Sequence, residues 1–380
     1  MILRPTHWGF TPVFLAELDY DLPPERIAQR PLEERDASRM MLLDRRTGAW
    51  EDRTFREFPS LLRGDELIVA NNARVIPARL LGRRAGTHSG PRGKSGKASR
   101  EFLTAPIEVL LIRRVEGDVW EALVRPGRKV GIGERIVFGE GELQAEVEAR
   151  GDYGIRRLRF QYDGNFEEIL SRLGHVPLPP YIHRADEPAD RERYQTVFAS
   201  HSGAIAAPTA GLHFSRAILA QLRSRAIEVV EITLDVGLGT FEPIRTERLE
   251  DHVIHRETYE ITRDAATAID RARAAGRPIL AIGTTVVRAL EDAAEKSSRS
   301  GTGQPVPHIS SGRAEAEIFL YPGKDFRVVS QLLTNFHLPQ SSLLALVAAF
   351  AGRENVLGAY AHAVDAGYRF YSYGDCMLIR

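Results

Sequence analysis

Apolar positions recur along this chain with two different periods, and the change of period divides the sequence. From Val75 to Tyr162 six short runs follow one another, at 75–83, 107–115, 118–124, 134–138, 142–150 and 154–162. They are rich in β-branched residues, partly alternate apolar with polar, and are separated by Gly-, Pro- or charge-rich turns. Short, evenly spaced strands without helical patterns between them predict a small antiparallel barrel. Elsewhere strand-like runs alternate with helical ones. On the N-terminal side a short helix is expected at 24–29, with strands at 39–44 and 65–70. After Phe166 the pattern predicts helices at 164–173 and from Ser215 onward, where Ile218, Leu219, Leu222 and Ile227 keep helical spacing. A strand at 228–236 follows, then a helix at 264–275 capped by Asp264, a buried strand at 279–282 and a helix beginning at Thr285. Strands are expected at 317–321, 327–333 and 368–373, and Ser341 opens an almost wholly apolar helix. Such alternation predicts an α/β domain built from residues 1–74 and 163–380, with residues 75–162 inserted into it as a six-stranded barrel.

The totals narrow the class. At 380 residues the chain is long enough for two domains with separate cores. Lys+Arg and Asp+Glu are both 51, so no global basic field announces a polyanion. The charge is nevertheless uneven: between Arg74 and Phe160 there are 18 Lys/Arg against 11 Asp/Glu, a local net of +7. That asymmetry suits a substrate with a phosphate backbone, although a solvated β surface has the same composition. The single cysteine, Cys376, excludes an internal disulfide and a thiolate metal cluster and points to a reducing compartment. The N-terminus lacks the apolar core of a signal peptide, and the longest apolar run, 343–351, is too short to span a bilayer. A soluble cytoplasmic protein is expected, with no membrane partner.

Candidate chemistry collects in loops that lead from strands into helices. The first is Ala206-Ala207-Pro208-Thr209-Ala210-Gly211-Leu212-His213-Phe214, which brings backbone N–H groups and one imidazole to a helix start. By itself this loop fits ordinary helix initiation better than catalysis. Comparable loops are Gly237-Leu238-Gly239-Thr240-Phe241, Gly283-Thr284-Thr285, Asn335-Phe336-His337-Leu338-Pro339 and Tyr373-Gly374-Asp375. If their strands run parallel, these loops share the edge at which α/β folds bind ligands. Neither Gly237-x-Gly239 nor Gly131-x-Gly133 has the third glycine of a dinucleotide fingerprint, and Gly93-Lys94-Ser95 has His88 where a P-loop needs glycine. His252-x-x-His255 with Glu257 has metal-like spacing but lacks the Glu of H-E-x-x-H, so a solvent-facing or substrate-contacting pair is preferred.

Taken together the motifs resemble one family. They are Asn71-Asn72-Ala73-Arg74-Val75-Ile76-Pro77-Ala78-Arg79, Val176-Pro177-Leu178-Pro179-Pro180-Tyr181-Ile182, Arg193-Tyr194-Gln195-Thr196-Val197, the loop Ala207–Phe214, Val236-Gly237-Leu238-Gly239-Thr240-Phe241, Gly283-Thr284-Thr285 with Arg288 and Glu291, Thr334–Pro339 and Tyr368–Asp375. The chain is similar, from about Leu18 to Ile379, to the S-adenosylmethionine:tRNA ribosyltransferase-isomerases of queuosine biosynthesis. The resemblance implies a larger mixed α/β domain of barrel-like character with an inserted small antiparallel β-barrel. It implies transfer and isomerisation of the ribosyl moiety of S-adenosylmethionine onto 7-aminomethyl-7-deazaguanine at the tRNA wobble position. The product is epoxyqueuosine-tRNA, adenine and methionine are released, and S-adenosylmethionine is a co-substrate with no metal or redox cofactor. It further implies a tRNA partner with a GUN anticodon and a monomeric enzyme. The sulfonium acidifies the neighbouring ribose CH₂, so a positioned base starts the reaction; His213 is the first candidate and His337 the second. A helix N-terminus is expected to keep His213 neutral. Thr209, Gly211, Thr240, Thr284 and Thr285, with Ser341 and Ser342, are candidates for the methionine carboxylate and its surroundings. Asn335 and Asp375 are candidates for adenine, Tyr371 or Tyr373 for base stacking, and Arg74, Arg79 and Arg128 for tRNA. Asp235 and Ala73 stand where the family usually has His and Thr, and the basic loop Gly86–Ser99 is longer than usual. Two other classes share parts of this pattern: an S-adenosylmethionine-dependent RNA methyltransferase, and a non-catalytic tRNA-binding paralogue.

Overall fold

In the computed structural model, residues 12–87, 106–237, 244–299 and 308–380 are described. The chain forms two compact units: Met1–Asn71, Thr209–Leu234 and Gly239–Arg380 make one, Asn72–Pro208 and Asp235–Leu238 the other.

The first unit is organised by a nine-stranded mixed sheet. Its order is Gly312–Ala316, Glu257–Ile261, Glu228–Leu234, Leu67–Asn71, Ile279–Ile282, Gln331–Asn335, Cys376–Ile379, Arg39–Leu43 and Trp50–Thr54. Strands 228–234, 67–71, 279–282 and 331–335 pair in parallel. Leu67–Asn71 and Ile279–Ile282 are buried at every position, which is why they read as continuous apolar runs rather than as alternation. The two edges are handled differently from the centre: Trp50–Thr54 is exposed throughout and carries Glu51, Asp52 and Arg53. Cys376–Ile379 runs antiparallel to Gln331–Asn335 and parallel to Arg39–Leu43, with Cys376 opposite both Asn335 and Met40. The C-terminal ends Asn71, Leu234, Ile282 and Asn335 therefore share one sheet edge with the N-terminal starts of strands 376–379 and 39–43.

Three expectations are corrected here. The last strand is Cys376–Ile379, and 368–373 forms a loop in which Tyr371 adopts φ 73°. The strand expected at 327–333 begins only at Gln331, because the Glu291 carboxylate accepts the backbone N–H groups of Arg327, Val328 and Val329. Glu317–Tyr321 is not a strand; pairing ends at Ala316, after which the N–H of Glu317 donates to Asp292. Capping shifts in one place as well: Thr262, not Asp264, caps the helix Arg263–Ala274 by accepting from Ala265 N–H. Ser215 and Ser341 cap the helices Arg216–Ser224 and Ser342–Ala351 as their positions predict.

The second unit contains a closed barrel of six antiparallel strands, Arg79–Thr87, Pro106–Glu116, Val119–Arg125, Glu134–Phe138, Leu143–Arg150 and Ile155–Tyr162. These are the six runs that the alternation marked. Inward residues such as Leu80, Val109, Ala122, Ile136, Val147 and Leu158 form its core. The helix Phe166–Leu173 starts at the Asn165 cap and adds Phe166, Ile169 and Leu170 to that core. Phe166 stacks edge-on against Phe160 and lies beside Trp120 and Tyr162. This unit runs beyond 162 to Pro208 and also holds a two-stranded parallel pair, Ala73–Val75 with His201–Ala204.

Candidate functional site

The sheet edge of the first unit carries a hydrogen-bonded chain centred on His213. This residue ends a short 3₁₀ turn, Thr209–His213, and the next residue, Phe214, anchors the turn by packing edge-on against Phe55 and Phe58. Ser215 follows as the cap of the helix Arg216–Ser224 and donates its hydroxyl to Asp36 at 2.6 Å. Both ring nitrogens of His213 are engaged: Nδ1 lies 2.7 Å from Ser38 Oγ and Nε2 lies 3.3 Å from Asn335 Oδ1. Asn335 donates through Nδ2 to the carbonyl of Tyr371 at 2.9 Å, which fixes Oδ1 as the acceptor facing His213. The imidazole therefore carries its proton on Nε2 and accepts the Ser38 hydroxyl at Nδ1.

His213 is fully enclosed, and its pKa is lowered to about 4. Burial is the main cause; the contact with Asn335 works in the opposite direction, and the positive charge of Arg369 adds to the lowering. The neutral imidazole expected from the sequence is present, but burial and not a helix dipole keeps it neutral. His337 is similar: burial lowers its pKa to about 3. Its Nε2 meets Thr334 Oγ1 at 2.8 Å, its N–H donates to the Tyr360 hydroxyl at 3.0 Å, and its carbonyl accepts the Tyr20 hydroxyl.

Asp375 is a structural tie. Its Oδ1 accepts from Arg39 N–H and its Oδ2 from Arg369 N–H, each at 2.8 Å, so one buried carboxylate joins the start of a strand to the loop 369–375. Burial raises its pKa against the opposing pull of these two amides. Tyr373 is buried near this tie. Sequence reasoning missed Ser38, Arg369 and Tyr371 O as members of the chain. Ser38 is an unremarked serine before a strand, and nothing local marks it as the partner of a histidine 175 positions away.

A second feature of the same edge is a small cavity of about 10 Å³, room for a single water, lined by Thr284, Thr285, His255, Arg288 and Ser342 among others. Two helices begin at it: Thr284–Arg299, preceded by Gly283 at φ 95°, and Ser342–Ala351. First-turn N–H groups have no partner within their own helix, and the dipoles of both helices direct positive potential to their starts. Thr285 Oγ1 is buried there with no hydrogen-bond partner among the described residues. Arg288, by contrast, is fully used. Its guanidinium pairs with buried Glu257 and donates to the carbonyls of His255, Ala316 and Ile318, tying the last two strands at one side of the sheet, Glu257–Ile261 and Gly312–Ala316, to the helix. The arrangement suits a carboxylate or another small anion.

The remaining sequence candidates fall elsewhere. Thr209 opens the 3₁₀ turn and Gly211 is buried within it. Thr240 lies outside the described residues, as does most of the basic loop 86–99. Arg74, Arg79 and Arg128 belong to the second unit: Arg74 is exposed on Ala73–Val75, Arg79 pairs with Glu108 at 2.7 Å, and Arg128 is exposed in the turn Gly127–Lys129. Of the proposed metal-like pair, His255 lines the cavity and His252 packs edge-on against Phe319.

Fold and site thus define an α/β protein with an added β-barrel and a polar, anion-suited sheet edge. Comparison with known proteins makes the class specific. Residues 15–379 match the family model described as queuosine biosynthesis protein. A protein of Solibacter usitatus, named S-adenosylmethionine:tRNA ribosyltransferase-isomerase, is 52% identical over 96% of this chain and 99% of its own length. One of Moorella thermoacetica with the same name is 50% identical over the same shares. The crystal structure of an S-adenosylmethionine tRNA ribosyltransferase from Thermotoga maritima is 35% identical and covers 96% of this chain and 100% of its own, with a TM-score of 0.50. The chain belongs to the queuosine biosynthesis family.

Proposed function

We propose that this protein is an S-adenosylmethionine:tRNA ribosyltransferase-isomerase. It transfers and isomerises the ribosyl moiety of S-adenosylmethionine onto 7-aminomethyl-7-deazaguanine at the wobble position of tRNAs with GUN anticodons. Epoxyqueuosine-tRNA forms, and adenine and methionine leave. The enzyme works as a cytoplasmic monomer and needs no metal or redox cofactor, since the sulfonium itself activates the ribose CH₂ for deprotonation. The near-complete match to relatives of that name supports the reaction.

The observation that carries the site is the unpartnered Thr285 hydroxyl at the meeting of two helix starts. It fits the methionine carboxylate of S-adenosylmethionine, a ligand larger than the cavity, which would widen on binding. Asn335 keeps one Nδ2 hydrogen and one Oδ1 lone pair for the departing adenine. His213 then acts as the group that holds Asn335, because both its nitrogens are already engaged and a base of pKa about 4 is weak at pH 7. The test is to incubate the protein with S-adenosylmethionine and tRNA bearing the aminomethyl-deazaguanine and to analyse the small molecules. Adenine and methionine are expected in equal amounts. S-adenosylhomocysteine without adenine would identify a methyltransferase, and tRNA binding with no released product would identify a non-catalytic paralogue.

A further inference from the structure

Among the described residues, the two mouths of the barrel differ in the sign of most of the charges that make no ion pair. Antiparallel pairing brings one end of every strand to each mouth. Thr87, Glu134, Arg150, Arg156, Arg125 and Glu108 are mutual neighbours at one mouth, while Arg79, Glu116, Val119, Tyr162, Leu143 and Phe138 lie at the other. The second mouth bears Glu116, Asp118, Glu140, Glu142 and Asp163 with Arg79, Arg114 and Arg172; Arg114 pairs with Asp118 and Arg172 with Glu142, and Phe166 of the helix Phe166–Leu173 packs there beside Tyr162 and Trp120. The first mouth bears Arg125, Arg128, Arg135, Arg150 and Arg156. Among the described residues its acids are Asp152, which is exposed, Glu146, opposite Arg135, Glu148, paired with Arg159, Glu134, held bidentately by Arg84, and Glu108, paired with Arg79.

This positive end is built rather than incidental. Arg156 is 2% exposed, and its guanidinium has no carboxylate in ion-pair range among the described residues. It donates instead to the carbonyls of Gly127, Val130 and Ile155, fastening the turn that presents Arg128. Burying a cation without a counter-charge is costly, and Arg150 adds repulsion to it. Arg135 has a buried Nε without a hydrogen-bond partner among the described residues. Arg125, Arg128 and Arg150 are exposed and make no ion pair among the described residues. Ile132, between Gly131 and Gly133, projects 63% exposed beside them. Unpaired arginines around a projecting apolar side chain match a nucleic acid, which offers phosphates and the flat faces of bases and sugars together.

We infer that this barrel mouth, at 125–135 and 150–156, is the surface on which the RNA phosphate backbone docks, an inference that rests on the tRNA-modifying reading above. The test uses the full chain and a fluorescently labelled anticodon stem-loop RNA, followed by anisotropy between about 50 and 200 mM KCl. The triple variant R125Q/R128Q/R150Q is expected to bind at least about tenfold more weakly, with the slope of log K against log salt smaller by about 2 to 3. The triple R125K/R128K/R150K should regain most of the affinity and slope, and E116Q/E140Q/D163N, at the opposite mouth, should bind no more weakly than the unaltered protein. A glutamine triple indistinguishable from the unaltered protein overturns the inference. So does a lysine triple as weak as the glutamine one, since the loss then comes from altered structure and not from charge. Adenine release by the unaltered protein separates the two levels: if it occurs while the arginine variants bind normally, only the docking surface is wrong; if it does not occur, the reaction itself is wrong.

Discussion

The His213 chain and the Thr285 cavity occupy the same sheet edge and differ in one respect. Around His213 both ring nitrogens and the Asn335 amide are matched, Ser38 to Nδ1, Nε2 to Asn335 and Asn335 to Tyr371, and only Arg369 Nη1 nearby is buried without a partner among the described residues. At the cavity the Thr285 hydroxyl is buried without a partner among the described residues, while the neighbouring Arg288 is saturated. A satisfied network fixes geometry, and an unsatisfied buried group at a cavity is free to bond a ligand atom. On the proposed reading, the absence of a partner at Thr285 is the better guide to the substrate than the presence of a titratable imidazole at His213.

The largest effect should come from Arg288, which carries structure at the cavity wall. Arg288→Met deprives buried Glu257 of its cation and should cost about 3–5 kcal/mol, read as a lower thermal midpoint. A variant of unchanged stability but poor S-adenosylmethionine binding would make Arg288 a ligand and blur the contrast with Thr285. Next is acid stability. The folded-state pKa of His213, about 4, lies below the unfolded value near 6.5, so in that interval the unfolded chain binds the extra proton. Its contribution is complete above about pH 6.5 and is lost as pH falls toward 4, amounting to about 3 kcal/mol. His213→Gln should flatten the stability profile across that window relative to the unaltered protein; parallel profiles would show that the ring is not neutral and enclosed.

Activity gives the sharper division. His213→Ala should reduce the kcat of adenine release by about 100-fold through misplacement of Asn335. His213→Gln, whose amide can still donate to Asn335, should retain most of it, and Ser38→Ala should follow the same direction more mildly. Equal and complete loss in Ala and Gln variants would restore His213 as the proton acceptor, as would His337→Ala proving harmless in parallel. The smallest effect is at the cavity: Thr285→Val should raise KM for S-adenosylmethionine by about tenfold with little change in kcat, the loss of one charge-assisted hydrogen bond. An unchanged KM would remove the carboxylate from this site.

Local pattern determined the elements. The six barrel strands, the Ser215 and Ser341 caps and the parallel apolar core strands are each specified by side chains within a few residues, through strand alternation, a hydroxyl meeting the first-turn amides, and burial on both faces. Those are short-range effects, and a sequence displays them directly. Tertiary structure decided where pairing stops and what the polar residues do. Glu291 takes three amides from a segment whose composition reads as strand, Asp375 takes two from separate parts of the chain, and Tyr371 is held at φ 73° inside the loop they shape. The loop ending in His213 was legible as a place where chemistry gathers. Which of its atoms are already bonded was not, because Ser38 and Asn335 reach it from 175 and 122 residues away. A buried polar group is defined by its partners, and only the folded chain brings them within 3 Å or so.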